Sequence, residues 1–340
     1  MPMSPPKSPT VFIDSPLHLR LLGWSVLWFA LLASLVGCTQ VQPNRVQALA
    51  NSPALSVSLS PQSELALVGS LWHGASLWHL ETEARRADWR HQDADDTVVR
   101  ASAFSPDGRF AVTADEQSIV AWNVETSRPV GYWSTQGWVR SVAISNGGRY
   151  VLAGLSTQQA LWIDASGQRQ PSFIPHAESV GAVLLSADGL LGVTGADDGM
   201  VRVWDLANGE ALMAQRLPSM VVSLALSADE SRLFAAPDWG MGVVWNWGRG
   251  EVLSQVGSPR TGLTRASFSA DGTELLTASP SSDLAVWSVR DGRELRRWTV
   301  PPMSGPDRMA VRSVLAVGWT PRPGEVKAAL STGEVMTWSP

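Results

Sequence analysis

Residues 176–205, HAESVGAVLLSADGLLGVTGADDGMVRVWD, return in six weaker copies along the chain, and repetition at a fixed period of this length limits the available folds sharply. Within the stretch, residues 180–186 are almost wholly apolar, Ala187, Asp188 and Gly189 have turn chemistry, and residues 190–194 form a second apolar run. Such a pair reads as a β-hairpin buried on both faces. Past the polar break at 196–199 come residues 200–204, a turn at Asn208 and Gly209, and a last run over 210–215. Four antiparallel strands in about forty residues make one sheet, and a sheet recurring at that spacing is a blade of a β-propeller.

A tryptophan marks each third strand: Trp78, Trp122, Trp162, Trp204, Trp245, Trp287 and Trp338, at intervals of 40 to 51 residues. Seven markers predict an all-β, seven-bladed propeller over residues 45–340. The longest interval is taken up by a Pro-rich surface loop at 301–307. Ser105-Pro-Asp-Gly108, Ser186-Ala-Asp-Gly189 and Ser269-Ala-Asp-Gly272 repeat one turn, with weaker forms at Ser145 and Ser227. Its final glycine suits a backbone that needs positive φ. Trp338 lies two residues from the end, so the seventh blade lacks a fourth strand of its own. Residues 45–50, RVQALA, precede the first blade's own first strand at 54–59 and are predicted to pair with the last blade, closing the ring and removing its exposed edge.

These residues resemble a WD40 repeat. The pattern of a His, then S-x-D-G, then D-G-x-V-x-x-W-D is met by His176, by Ser186-Ala-Asp-Gly189 and by Asp198-Gly-Met-Val-Arg-Val-Trp-Asp205. The resemblance implies that His176, Thr194, Asp198 and Trp204 form a buried hydrogen-bonded chain. A structural role is expected for them rather than catalysis, because a buried polar group without partners costs roughly 1–3 kcal/mol. The other blades lack that full set and are expected to be degenerate. The resemblance also implies a binding face, made by the loops that enter the first strand and join the second to the third. Trp72, Arg100, Asp115, Trp138, Arg140, Asp197, Met220 and Trp239 fall in those loops. Trp, Met and Arg with a few acids are the composition of a protein-binding hot spot. The expectation is a monomeric, non-enzymatic scaffold that binds another protein.

The beginning of the chain has a different character. Residues 1–20 are rich in Pro and Ser, residues 21–37 carry no charge, and Leu35-Val36-Gly37-Cys38 ends the apolar run. This layout is that of a secretory signal, and its last four residues resemble the bacterial lipobox, in which the Cys is acylated and the leader is cut just before it. Cys38 is the only cysteine. Two or more acyl chains would hold the mature protein stably on a membrane, with residues 38–44 as a short tether. Thr39 stands where sorting rules place a retention Asp, so the resemblance favours the periplasmic side of a bacterial outer membrane over the inner one. Net charge is −5 for the whole chain, which argues against nucleic acid as a partner.

Motifs for catalysis are missing. No nucleophile elbow or phosphate-binding loop occurs, and His73, His79, His91 and His176 have no paired metal-ligand spacing. The acidic loop with Asp93, Asp95 and Asp96 has Val98 and Phe104 where a calcium loop needs Gly and Glu. Neither metal nor cofactor is expected. Trp89, Trp133 and Trp298 fall on fourth strands and are expected to pack between blades. Two other readings stay open: an outer-membrane assembly factor like the quinoprotein-type propeller lipoproteins, whose repeats place a Trp about two residues earlier than Trp298 stands, and a lactonase-like propeller binding a small ligand in its channel. The latter needs carboxylates converging on the axis.

Overall fold

Each second strand of the repeat is largely apolar because it lies inside a sheet packed on both faces. Tyr150–Leu155 is buried at every position, and Leu191–Ala196 and Arg232–Pro237 at all but the first. The computed structural model describes residues 41–50, 53–71, 73–91, 97–303 and 312–340. The leader, Cys38, Trp72, the acidic loop at 93–96 and most of the Pro-rich loop lie outside the described residues.

Seven four-stranded antiparallel sheets make up the described structure. Blade four is typical, with Val180–Leu185 innermost, then Leu191–Ala196, Met200–Asp205 and, at the rim, Glu210–Arg216. Seven apolar clusters fill the seven spaces between neighbouring blades, from Leu67, Trp89 and Trp122 between blades one and two to Ala54, Ala316 and Val335 between blades one and seven. The core is therefore a ring of inter-blade layers, and each sheet contributes to two of them.

Closure follows the expectation. Arg45–Ala48 pairs antiparallel with Glu334–Trp338, Arg45 opposite Thr337 and Ala48 opposite Glu334. The strand is two residues shorter than the run read from sequence, yet the amides of Leu49 and Ala50 still bond to the carbonyl of Gly333. Leu49 is buried in the cluster between blades seven and one.

The fourth-strand tryptophans pack between blades. Trp89 is 1% exposed and stacks on Trp122 of the next blade at 5.0 Å and 7°. Trp298 joins Trp338 in the layer between blades six and seven, and Trp133 packs against that between blades two and three.

The S-x-D-G turns share one wiring. The Ser hydroxyl donates to the Asp two residues on (Ser105 to Asp107 2.6 Å, Ser186 to Asp188 2.5 Å, Ser269 to Asp271 2.7 Å) and accepts the amide five residues on. Ser227 and Asp229 make the same turn. Hydrogen bonds from Ser227 and Ser231 hold the Asp229 carboxyl at about 2. Gly189 takes φ of 75° at the last position, where the blade-five copy places Glu230 at φ 58°.

Candidate protein-binding face

The family-like repeat and the family-like hydrogen bonds sit in different blades. In blade four, Trp204 Nε1 donates to Thr194 Oγ1 at 2.8 Å, but the chain breaks at His176. Arg202 Nη1 donates to His176 Nδ1 at 3.0 Å, and His176 Nε2 is buried with no partner among the described residues. Asp198 accepts the Met200 amide and lies 3.8 Å from Arg202. The four-residue chain expected here is thus corrected to a Thr194–Trp204 bond and a separate His176–Arg202–Asp198 cluster.

Blade two carries the continuous chain instead. His91 Nε2 lies 2.8 Å from Thr113 Oγ1, which accepts from Trp122 Nε1 at 2.8 Å, and His91 Nδ1 lies 2.6 Å from Ser118 Oγ. Asp115 closes the network, accepting the hydroxyl and amide of Ser118 and the amide of Gln117. Burial opposes ionisation of Asp115, but hydrogen bonds from His91, Ser118 and Gln117 overcome it and hold the carboxyl at about 2. The reason lies in two third-strand positions. Counted back from the Trp, blade two has Ser118 and Val120 where blade four has Met200 and Arg202. Blade four therefore lacks the hydroxyl that engages Nδ1 and gains a guanidinium that takes it. Four extra residues between His and Thr in blade two hide this correspondence in the sequence. Asp115, read as part of the binding face, is a member of this internal network.

His176 is held at about 4, chiefly by burial, with Arg202 adding repulsion and Asp198 partly opposing it. The unfolded chain takes up a proton near pH 6.5 that the folded chain refuses until about pH 4. Stability from this group is therefore present above that window and lost as pH falls through it, by an amount that solvent screening at this partly exposed site reduces. Urea titrations at pH 7 and 4.5 are expected to show a smaller acid loss for His176→Phe than for the wild type. Equal losses would remove His176 as the cause.

The remaining loop residues gather at one mouth of the disc, since in every antiparallel blade the loop before the first strand and the loop joining the second to the third leave from the same end. Trp138 is 58% exposed and Trp239 61% exposed, and Met220 is exposed beside them in chain order. Of the fourteen described tryptophans only these two are exposed. Their backbones are tied down: Trp138 exchanges bonds with Ser156, and the Asp238 amide donates to the Met220 carbonyl at 2.9 Å. Arg100 pairs with Glu116 at 3.0 Å, and Arg140 of blade three reaches Asp197 of blade four at 2.5 Å.

Behind this mouth the inner strands enclose a channel cavity of about 420 Å³ lined from all seven blades. Bulges at Leu55, Arg140, Gly181, Val222 and Leu315 add one residue to the inner strand of five blades, which turns that residue toward the axis. The described lining contains Arg100, Arg140 and Arg265 and no carboxylate, so it lacks the acidic set that a lactonase-type site requires. Among the described residues no cluster of His, Cys, Asp and Glu could hold a metal.

A model of the WD domain, G-beta repeat, matches residues 167–205. That span begins at the outer strand of blade three, so the sequence repeat is offset by one strand from the structural blade, as the closure of the ring is. The chain is 24% identical over 269 residues to a guanine nucleotide-binding protein subunit beta of Zea mays, covering 71% of this chain and 70% of that protein. It is 25% identical over 267 residues to the corresponding subunit of Solanum tuberosum, with 71% of each covered. Among solved structures, the β-propeller domain of Myceliophteria thermophila Cps50 (Swd1) superposes with a TM-score of 0.72 at 14% identity, covering 87% of this chain and 100% of that one. A chain of the mitotic checkpoint complex superposes with a TM-score of 0.72 at 15% identity, covering 88% and 95%. The chain is a seven-bladed β-propeller, and residues 167–205, which end with the third strand of its fourth blade, match the WD domain, G-beta repeat.

Proposed function

We propose that this protein is a non-enzymatic scaffold that docks another protein on the mouth formed by Trp138, Met220 and Trp239, with Arg100 and Arg140 beside them. The observation that carries the reading is the placement of tryptophan. Twelve of the fourteen described copies are buried or half-buried in the blades, while the two exposed ones stand on a single face over hydrogen-bonded loops. Large rigid side chains on a fixed backbone lose little entropy on binding and contribute the largest share of interface energy. The similarity to G-beta subunits and to a component of the mitotic checkpoint complex supports a role in protein assembly. In this reading the disc is tethered through acylated Cys38 at the periplasmic side of a bacterial membrane, which the lipobox-like run 35–38 supports.

Affinity capture of the full-length protein from mildly solubilised membranes of its host tests both parts. Wild type is expected to retain a stoichiometric partner whose affinity Trp138→Ser/Trp239→Ser lowers by roughly a thousandfold, matching roughly 2 kcal/mol per anchor. Cys38→Ser is expected to move the protein from the membrane to the soluble fraction. Undiminished capture by the double variant would disprove the docking face, and membrane retention of Cys38→Ser would disprove the anchor.

A further inference from the structure

The channel contains one side chain out of keeping with its ring. At a single register position of the innermost strands, six blades place a small residue: Ser56, Ala101, Ser141, Ala182, Ser223 and Ala316, each opposite Gly or Ala of the second strand. Blade six places Arg265 there, opposite Ala278. The position is cramped, and in blade one Ser56 uses it to bond the next blade, donating to the Val99 carbonyl at 3.1 Å. Arg265 makes the same kind of crossing with a larger group. Its Nε donates to the Leu315 carbonyl of blade seven at 2.5 Å and its Nη1 to the Thr264 carbonyl at 2.6 Å.

Those two carbonyls fix the guanidinium but do not neutralise it. Among the described residues no carboxylate acts on Arg265, and burial alone lowers its pKa from the usual value. Nη2 donates to no described residue. Arg100 and Arg140 line the same cavity, each paired with an acid outside the lining, so Arg265 is the one cation among the described lining residues with no described carboxylate against it. A part-buried guanidinium fixed on two sides, with Nη2 uncommitted, is preorganised to donate to an anion.

We propose that the channel is an anion site in which Arg265 is the central ligand and a carboxylate the group bound. The carboxylate comes either from an acidic side chain of a docked protein or from a free small polycarboxylate. The protein-borne source rests on the docking face proposed above; the free one does not. Two probes separate them, citrate and a hexaglutamate peptide, titrated calorimetrically into the full-length chain in mild detergent at fixed ionic strength.

Wild type is expected to bind at least one probe. Arg265→Ser, which restores the residue that blades one, three and five carry, is expected to bind it at least tenfold more weakly, and Arg128→Ser on an exposed outer strand to leave it unchanged. Binding of the peptide alone assigns the protein-borne source, and binding of citrate alone the free one. If wild type binds neither, or if Arg265→Ser melts like the wild type and binds as tightly, the anion site is wrong. Should Arg265→Ser fail to fold, Arg265→Gln, whose amide keeps a donor for Leu315, is read against the same criterion. Citrate titration of Trp138→Ser/Trp239→Ser is expected to match the wild type, so loss of partner capture and loss of the anion site are read independently.

Discussion

A chain that begins at Asn51 is expected to be about 5 kcal/mol less stable than one that begins at Val41, with a melting temperature lower by roughly 10 °C. The ten residues removed include the strand Arg45–Ala48 and the two residues after it. Their loss breaks the ladder to Glu334–Trp338 and the bonds to Gly333, each contributing roughly 1 kcal/mol. It also uncovers the space occupied by Leu49 between blades seven and one, about 2 kcal/mol more. Arg45, which pairs with Glu83 at 2.7 Å on the surface, adds little. The third strand of blade seven becomes an open edge, so concentration-dependent association should accompany the loss of stability. Calorimetric melting of the two truncated proteins at several concentrations checks this; equal midpoints would mean that the ring does not depend on its N-terminal strand.

The second large effect separates two histidines that look reversed in importance. His91→Ala is expected to cost about 3–4 kcal/mol, and His176→Ala less than about 1 kcal/mol at pH 7. His91 bridges Thr113 and Ser118, and through Ser118 it holds Asp115, whose ionised carboxyl is half-buried. Removing the imidazole deprives two buried hydroxyls of a partner and leaves that carboxylate short of a hydrogen bond. His176 makes one bond, to a guanidinium that also lies near Asp198, and leaves its other nitrogen unpartnered. Equilibrium urea unfolding of both variants decides the matter. An equal or larger loss for His176→Ala would show that the continuous chain belongs to blade four after all. Restoring the blade-two pattern with Met200→Ser and Arg202→Val is expected to raise the cost of His176→Ala toward that of His91→Ala.

These two expectations mark how far the sequence reaches. The blade count, the strand order within a blade and the closing strand were legible because each rests on local patterning: apolar runs, turn residues and a tryptophan at a nearly constant interval. Ser186, Asp188 and Gly189 form their turn through bonds to neighbours within five residues, so the sequence holds all the information that the turn uses. The inward and outward placement of Trp89 and Trp138 was readable for the same reason, from strand order alone.

What the sequence could not decide depends on distances across strands and blades. His91 and Thr113 meet only when a loop of variable length folds back, so a fixed-spacing motif finds His176 and passes over the histidine that completes the network. Asp115 lies in a loop of the exposed face, yet its oxygens turn inward to Ser118, a choice made by the hydroxyl below it. Arg265 opens a short strand, Arg265–Phe268, that carries no motif. It becomes a channel guanidinium only because seven sheets curve around one axis and six of them keep that position small. Periodicity therefore determined the ring. The tertiary structure alone decided which polar groups inside it find partners, because a hydrogen bond depends on angstrom-scale placement between segments that the chain leaves tens of residues apart.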